Sequence, residues 1–218
     1  MPVIEITSWT PSEAYLADAS VLKSTLDFLK GVEGCKEIYS GLAENTPQKK
    51  VFLVVGKNNL INARVAMQSL ILPVWESYEH HKALIDNPPP PETVTLGPAI
   101  QGNFSMYHIN FTKDVSVALS ATYTEVLSTT LREGKTQEDF DKAARAISEQ
   151  IDLANPEHAP VTWGQSVEDE RKFYFLVGWD NLQKVEEVMT SAALAPSRAE
   201  LRDTVAFDFD VVQLAKHA

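Results

Sequence analysis

Two histidines in the first half of the chain are the side chains best suited to proton transfer, because an imidazole changes its charge near neutral pH. His81 lies next to His80 in a segment with helical spacing, and His108 lies next to Tyr107 in an apolar run. These residue types indicate a general base at His81, with Tyr107 or His108 holding a substrate oxygen. The alternative is that each histidine is a partly buried residue with a structural role.

The elements that carry these side chains limit which of them face inward. Adjacent residues of a helix point about 100° apart, so only one of His80 and His81 can face the interior. Along the strand predicted over 104–111, alternate residues lie on opposite faces. One face carries Phe104, Met106, His108 and Asn110, and the other carries Ser105, Tyr107, Ile109 and Phe111. His108 therefore faces either a cavity or an edge of the sheet.

Two glutamates lie in the middle of apolar strand segments. Glu5 follows Val3 and Ile4, and Glu125 occupies the same place in a similar segment of the second half. Such a pair is either exposed to solvent or buried as a base or a hydrogen-bond acceptor.

Aromatic side chains are numerous enough to line a pocket for an aromatic ligand. We expect Trp75, Tyr39 and Phe104, together with Glu5, to contact such a ligand. Trp75 and Trp179 recur at the same place in the two halves, so the alternative for them is a packing role in the core.

Other kinds of site find no support in the spacing of residues. The sequence has no His-x-x-x-His motif and no comparable carboxylate–histidine spacing, so it predicts no metal site. It also has no glycine-rich phosphate loop and no Gly-x-Ser-x-Gly elbow. Cys35 is the only cysteine, so an intramolecular disulfide and an oxidising compartment gain no support.

The net charge and the hydropathy pattern argue against a nucleic acid or a membrane as a partner. The 218 residues carry a formal net charge of −11, so the protein's own field opposes approach to a nucleic acid or an anionic membrane. The N-terminal segment does not resemble a secretory signal, and no apolar run reaches about 20 residues. We therefore expect a cytoplasmic protein, and the aromatic side chains make a small hydrophobic or aromatic molecule its expected partner.

The same order of elements recurs in the two halves. The first half predicts a strand at 3–6, a helix at 13–29 capped by Ser12, strands at 35–42 and 51–55, a helix after Trp75 and a strand at 104–111. The second half predicts a strand at 122–127, a helix opening at 136, a hairpin of 161–167 with 173–177, a helix at 182–189 broken before Pro196, and a strand at 205–214. Each half therefore has the β-α-β-β-α-β order of a ferredoxin-like unit.

We expect two α+β domains, 1–112 and 113–218. Each four-stranded sheet would cover one face with its own helices and leave the other face apolar. The two sheets are therefore predicted to pack face to face as a pseudo-symmetric α/β barrel. Such a barrel could be complete as a monomer or could form a homodimer.

One recurring motif carries a family resemblance. It runs strand–Gly–Trp–Glu/Asp–Ser/Asn, as in 51–56 (VFLVVG) with 75–81 (WESYEHH), and again in 174–181 (YFLVGWDN). This motif resembles the antibiotic-biosynthesis-monooxygenase branch of the dimeric α/β-barrel superfamily, and its tandem form is similar to two-repeat proteins common in fungi. The family's helix histidine, six residues after the tryptophan, falls on His81, whereas the second repeat has Val185 there. The comparison makes His81 the inward residue of its pair.

The resemblance implies a function in secondary metabolism. The expected activity is a cofactor-independent oxidation or cyclisation of an aromatic or polyketide-like metabolite, by a monooxygenase or a polyketide cyclase. The superfamily also includes haem enzymes, and His81 and His108 are the residues here that could serve as an iron ligand. The second hypothesis is a non-catalytic stress-responsive or ligand-binding protein of the same fold. An enclosed cavity reached by His81 would favour catalysis, and an interior filled by side chains would favour the second hypothesis.

An 18-residue segment, 57–74, separates the glycine from the tryptophan in the first repeat, where the second repeat has adjacent Gly178 and Trp179. It is either a genuine lid-like loop with helical content or the translation of an unspliced intron, since its removal restores VVGWES beside LVGWDN. Sequencing the mature transcript across this junction distinguishes the two, because a spliced message that lacks 57–74 excludes the loop.

Overall fold

The computed structural model describes residues 3–43, 69–90 and 96–217, which belong to two units. Unit 1 contains residues 3–43, 69–90, 96–110 and 215–217, and unit 2 contains residues 111–214. Both units combine an antiparallel sheet with helices. The predicted α+β class is therefore confirmed, whereas the domain boundaries at 112 and 113 stay a prediction.

Unit 1 has its strands in the order β4-β1-β3-β2-β9. The strands and helices of this unit are β1 (Val3–Pro11), α1 (Glu13–Ala17), α2 (Lys23–Leu29), β2 (Cys35–Leu42), β3 (Ser69–Trp75), α3 (Tyr78–Asp86), β4 (Ile100–Phe111) and β9 (Ala215–Lys216). Short 3-10 turns lie at Ala19–Leu22 and Gly97–Ala99. Trp9, Leu22, Ile38 and Trp75 are completely or almost completely buried in the core between the sheet and the helices.

Unit 2 has its strands in the order β8-β5-β7-β6. Its elements are α4 (Ser116–Ser120), β5 (Tyr123–Leu131), α5 (Gln137–Ala154), a 3-10 turn (Pro156–His158), β6 (Thr162–Ser166), β7 (Lys172–Trp179), α6 (Leu182–Thr190), α7 (Ala195–Thr204) and β8 (Val205–Val212). The predicted face of α5 is buried, with Phe140, Ala143, Ala144, Ile147 and Ile151 in the core. The helix opens at the predicted position, where Thr136 and Asp139 form a capping box.

The helix predicted over 13–29 is wrong as a single element. Ser12 caps α1 as expected, since its hydroxyl accepts a hydrogen bond from the Tyr15 amide. The helix then ends at Ala17, because Asp18 adopts an extended conformation and its carboxylate accepts hydrogen bonds from the amide and the hydroxyl of Ser20. An aspartate that bonds to the backbone ahead of it starts a new turn more readily than it continues a helix.

The strand that precedes Trp75 is Ser69–Trp75. It pairs with β1 at Val3↔Trp75 and with β2 at Leu42↔Ser69. In unit 2, β7 has the equivalent position, since it pairs with β5 at Tyr123↔Trp179. The interpretation of 69–74 as a loop between strand and helix is therefore wrong. The strand predicted at 51–55 and residues 57–68 lie outside the described residues, and the intron hypothesis stays a prediction.

Two further expectations at the end of the chain are corrected. Pro196 does not break the chain but lies in the first turn of α7. Backbone N–H groups in the first turn have no acceptor within the helix, so a proline costs no hydrogen bond there. Along 205–214, Phe207 and Phe209 alternate with Asp208 and Asp210, which predicts one buried and one solvent-exposed face. Asp210 is nevertheless buried, as are Phe209, Val211 and Val212. None of the described helices is long and apolar enough to cross a membrane.

Gly34 provides a test of how the loop before β2 holds helix α3 in place. Its φ of +81° lies in the left-handed region, and an added Cβ would lie 2.3 Å from Cγ of His80. Gly134 has a similar φ of +77° with no atom within 4 Å of such a Cβ. We expect Gly134→Ala to cost only the conformational penalty, about 1 kcal/mol, and Gly34→Ala to cost clearly more. Urea unfolding of both variants measures the difference, and equal losses would contradict the contact with His80.

Candidate functional site

Three elements of unit 1 bring their polar side chains to one place between the sheet and a helix. Glu5 on β1 and His108 on β4 are directly opposite each other in the antiparallel ladder, so their side chains lie on the same face. His81 is the buried residue of α3, the helix that covers this face. All three side chains are more than nine-tenths buried.

The polar atoms of this cluster converge on His81. Its Nδ1 lies 3.0 Å from Oε2 of Glu5 and 2.5 Å from Nε2 of His108. The three ligand-type atoms all lie within 4.8 Å of one another. We call Glu5, His81 and His108 the Glu-His-His cluster.

Two neighbours hold the carboxylate of Glu5 in a fixed orientation. The indole Nε1 of Trp75 donates a hydrogen bond of 2.9 Å to Oε2, and the hydroxyl of Thr7 donates one of 2.6 Å to Oε1. Trp75 also stacks on the His81 ring, with 4.5 Å between centroids and 9° between planes. The carboxylate and the imidazole are therefore both preorganised.

Sequence reasoning missed two members of this environment. Thr7 lies two residues after Glu5 on the same face of the strand, and this spacing was available in the sequence. Tyr78 lies one helical turn before His81 and meets the His108 ring edge to face, with centroids 5.0 Å apart. The spacing of Thr7 from Glu5 and of Tyr78 from His81 can be read from the sequence. It indicates a shared site only once the contact between His81 and His108 is known.

The structure does not bring three of the predicted site residues to the cluster. Tyr107 alternates with His108 and pairs with Ile6, so it lies on the opposite face of the sheet. Tyr39 likewise alternates with the core residue Ile38, and its hydroxyl donates a hydrogen bond to Glu37. Phe104 lies four residues along β4 from His108 and is 48% exposed.

Unit 2 contains the same glutamate–tryptophan pair without the histidines. The Trp179 indole donates a hydrogen bond of 3.0 Å to Glu125, as Trp75 does to Glu5. The residue opposite Glu125 in the ladder is Val211, and the inward residue of α6 is Val185, both almost fully buried. A sheet and a helix of this type therefore pack well with valine at both positions, so packing alone does not require His81 and His108.

Burial raises the pKa of Glu125 to about 7, although the hydrogen bond from Trp179 partly opposes the change. The carboxyl lies at a cavity of about 30 Å³ that is mostly lined by apolar side chains of unit 2. The cavity can hold about one or two waters. This cavity is therefore too small for an aromatic metabolite.

Comparison with known proteins places the fold but not the activity. No protein-family model matches the sequence, and no curated protein matches it either. A Fusobacterium nucleatum protein provisionally described as a monooxygenase is 11% identical, with 98% of this chain and 92% of that chain covered and a TM-score of 0.59. An anthrone oxidase-like protein is 9% identical, with 100% and 94% covered and a TM-score of 0.59.

A haem-binding protein from Thermus thermophilus is also similar, at 8% identity, with 100% of this chain and 93% of that chain covered and a TM-score of 0.52. At these identities the likeness shows a shared fold alone, and it confirms the predicted α+β class. Haem iron does not fit at Nε2 of His108, because this nitrogen lies 2.5 Å from Nδ1 of His81.

The raised pKa of Glu125 predicts a pH dependence of stability. A carboxyl whose pKa is higher in the folded state than its ordinary 4.5 stabilises the fold fully below pH 4.5, and this contribution is lost as the pH rises to about 7. The loss is about 3 kcal/mol. Glu125→Gln cannot ionise, so we expect its free energy of unfolding to fall less than that of the wild type between pH 5 and pH 8. Urea unfolding at both pH values measures this, and identical pH profiles for the two proteins would show that Glu125 titrates normally.

Proposed function

We propose that this protein is an enzyme that acts on a small aromatic or polyketide-like molecule, with the Glu-His-His cluster as its acid–base centre. One observation carries the proposal. The two units bury the same glutamate–tryptophan pair, and only unit 1 adds two histidines to it. Buried polar groups that the fold does not need are expected at functional sites.

The proposed general base is His81. The carboxylate of Glu5 next to Nδ1 holds the ring in one orientation and stabilises the imidazolium that forms when His81 accepts a proton. His108, in contact with the same ring nitrogen, either relays the proton or binds a substrate oxygen. Tyr107, which lies on the other face of the sheet, has no part in this arrangement.

The proposed reaction needs no organic cofactor. For an anthrone-type substrate, His81 removes a proton from a methylene carbon between two aromatic rings, and the resulting carbanion passes electrons to molecular oxygen. The methylene carbon loses two hydrogens and gains one oxygen atom to become a carbonyl, and the other oxygen atom leaves as water. In a cyclisation, the same carbanion would instead form a carbon–carbon bond to a carbonyl of the substrate.

The structural neighbours support this class of reaction, because they include a protein provisionally described as a monooxygenase and an anthrone oxidase-like protein. We further propose that the chain is a tandem member of the antibiotic-biosynthesis-monooxygenase branch, of the fungal two-repeat type. In this proposal unit 1 carries the chemistry and unit 2 is structural. The proposed setting is secondary metabolism in the cytoplasm.

A turnover assay on anthrone-type and polyketide-type substrates tests the proposal. His81→Val places at this position the residue that unit 2 tolerates, so the fold should persist while turnover falls by about 100-fold or more, as expected for loss of a general base. His158→Ala removes a histidine of unit 2 that pairs with Asp180, and it should leave turnover unchanged. Equal turnover of the wild type and His81→Val would remove His81 from the mechanism.

The second candidate function is non-catalytic binding of a small molecule. In unit 2 the cavity at Glu125, about 30 Å³, is too small for an aromatic metabolite, so catalysis finds no support there and a non-catalytic role is favoured for that unit. The same assay decides between the two, since a ligand that raises the melting temperature but shows no turnover would support binding alone.

A further inference from the structure

The Glu-His-His cluster has the geometry of a set of metal ligands. Nδ1 of His81, on α3, lies 3.0 Å from Oε2 of Glu5, on β1, and 2.5 Å from Nε2 of His108, on β4. Each residue offers one ligand atom, and the three atoms lie within 4.8 Å of one another. Cis ligands around a first-row metal ion are about 3 Å apart, because each metal–ligand bond is about 2.0–2.2 Å long, and the two separations measured from Nδ1 of His81 are close to that distance.

The hydrogen or lone pair on Nδ1 of His81 is the reason why a cation suits the Glu-His-His cluster. Nδ1 of His81 has one position in the plane of its ring, which holds either a hydrogen or a lone pair. If it holds a hydrogen, that hydrogen can point at Glu5 or at His108, but not well at both. If it holds a lone pair, the lone pair faces the carboxylate oxygen of Glu5. A metal ion between the three atoms would accept a lone pair from each of them.

The surroundings of Glu5 are those of a supported ligand. Trp75 and Thr7 each donate a hydrogen bond to the carboxylate, so it is oriented without the metal. Outer-sphere donors of this kind commonly fix the carboxylates that bind metals. Two histidines and one carboxylate suit Zn²⁺, Fe²⁺ and Co²⁺, and they leave coordination positions for water or substrate.

We propose that Glu5, His81 and His108 bind one divalent first-row transition metal ion of the Zn²⁺ or Fe²⁺ type. The proposal goes beyond the proposed function and does not depend on it. An imidazolium carries a hydrogen on both ring nitrogens and cannot bind a metal ion through Nδ1, so the metal-bound and imidazolium forms of His81 are alternatives. Unit 2 offers an internal comparison, since valine replaces both histidines there.

The test is a titration of the purified full chain, stripped of metal with a chelator, with Co²⁺ followed by visible absorption and with Zn²⁺ followed by calorimetry. We expect one equivalent of metal ion to bind per chain, and we expect bound Co²⁺ to show the visible absorption bands of a cobalt ion with histidine ligands. His81→Val and His108→Val should each weaken binding by more than about 100-fold, the upper end of the effect of losing an outer-sphere partner. Zn²⁺ should also raise the melting temperature of the wild type but not that of His81→Val.

The controls separate the cluster from other ligands. His158→Ala should bind metal like the wild type, and Glu5→Gln, which keeps the shape of the side chain, should weaken binding even if a valine variant fails to fold. No stoichiometric binding by the wild type, or unchanged binding by Glu5→Gln and His108→Val, would overturn the proposal. The titration contains no organic substrate, so its failure leaves the acid–base function standing, and a failed turnover assay leaves the metal site standing.

Discussion

Each unit of this protein buries a glutamate in the middle of a strand, and a tryptophan at the end of the neighbouring strand donates its indole N–H to the carboxylate. A carboxylate loses much of its hydration when it is buried, so a fixed donor is needed to offset part of that cost. The indole nitrogen can only donate, which gives the pair one orientation. Because Trp75 and Trp179 end β3 and β7, the same contact also positions the start of the helix that follows each strand.

The two units differ in the side chains that surround the buried glutamate. In unit 2 the positions of His81 and His108 are held by the buried Val185 and Val211, and burial raises the pKa of Glu125. In unit 1 two imidazoles occupy the corresponding positions and lie within reach of the carboxylate of Glu5. One duplicated scaffold thus carries an apolar version and a polar version of the same site. The polar version can accept protons or ligate a cation, and the apolar version cannot do so with Val185 or Val211.

The sequence predicted most elements, and its errors have local causes. Helix α5 follows its apolar stripe from Phe140 to Ile151, and β2 has the predicted bounds. Strand β3 was missed because 51–56 (VFLVVG) matches the segment that ends at Gly178, which made 57–74 an insertion in the sequence comparison. The inward orientation of His81 followed from its alignment with Val185. The contact between His81 and His108 did not follow, because no spacing along the chain encodes which strand lies under α3.

The sequence by itself determined the α+β class and the β-α-β-β-α-β order. It also showed that Glu5 and Glu125 occupy equivalent positions in the two repeats, and that the position of His81 is taken by Val185 in the second repeat. These properties depend on periodicity and repetition, which are local and can be read along the chain. Only the tertiary structure decided that Glu5, His81 and His108 share one buried place while Tyr39 and Tyr107 face the other side of the sheet. The register of β1 against β4 decides this, and a shift of one residue would exchange His108 for Tyr107.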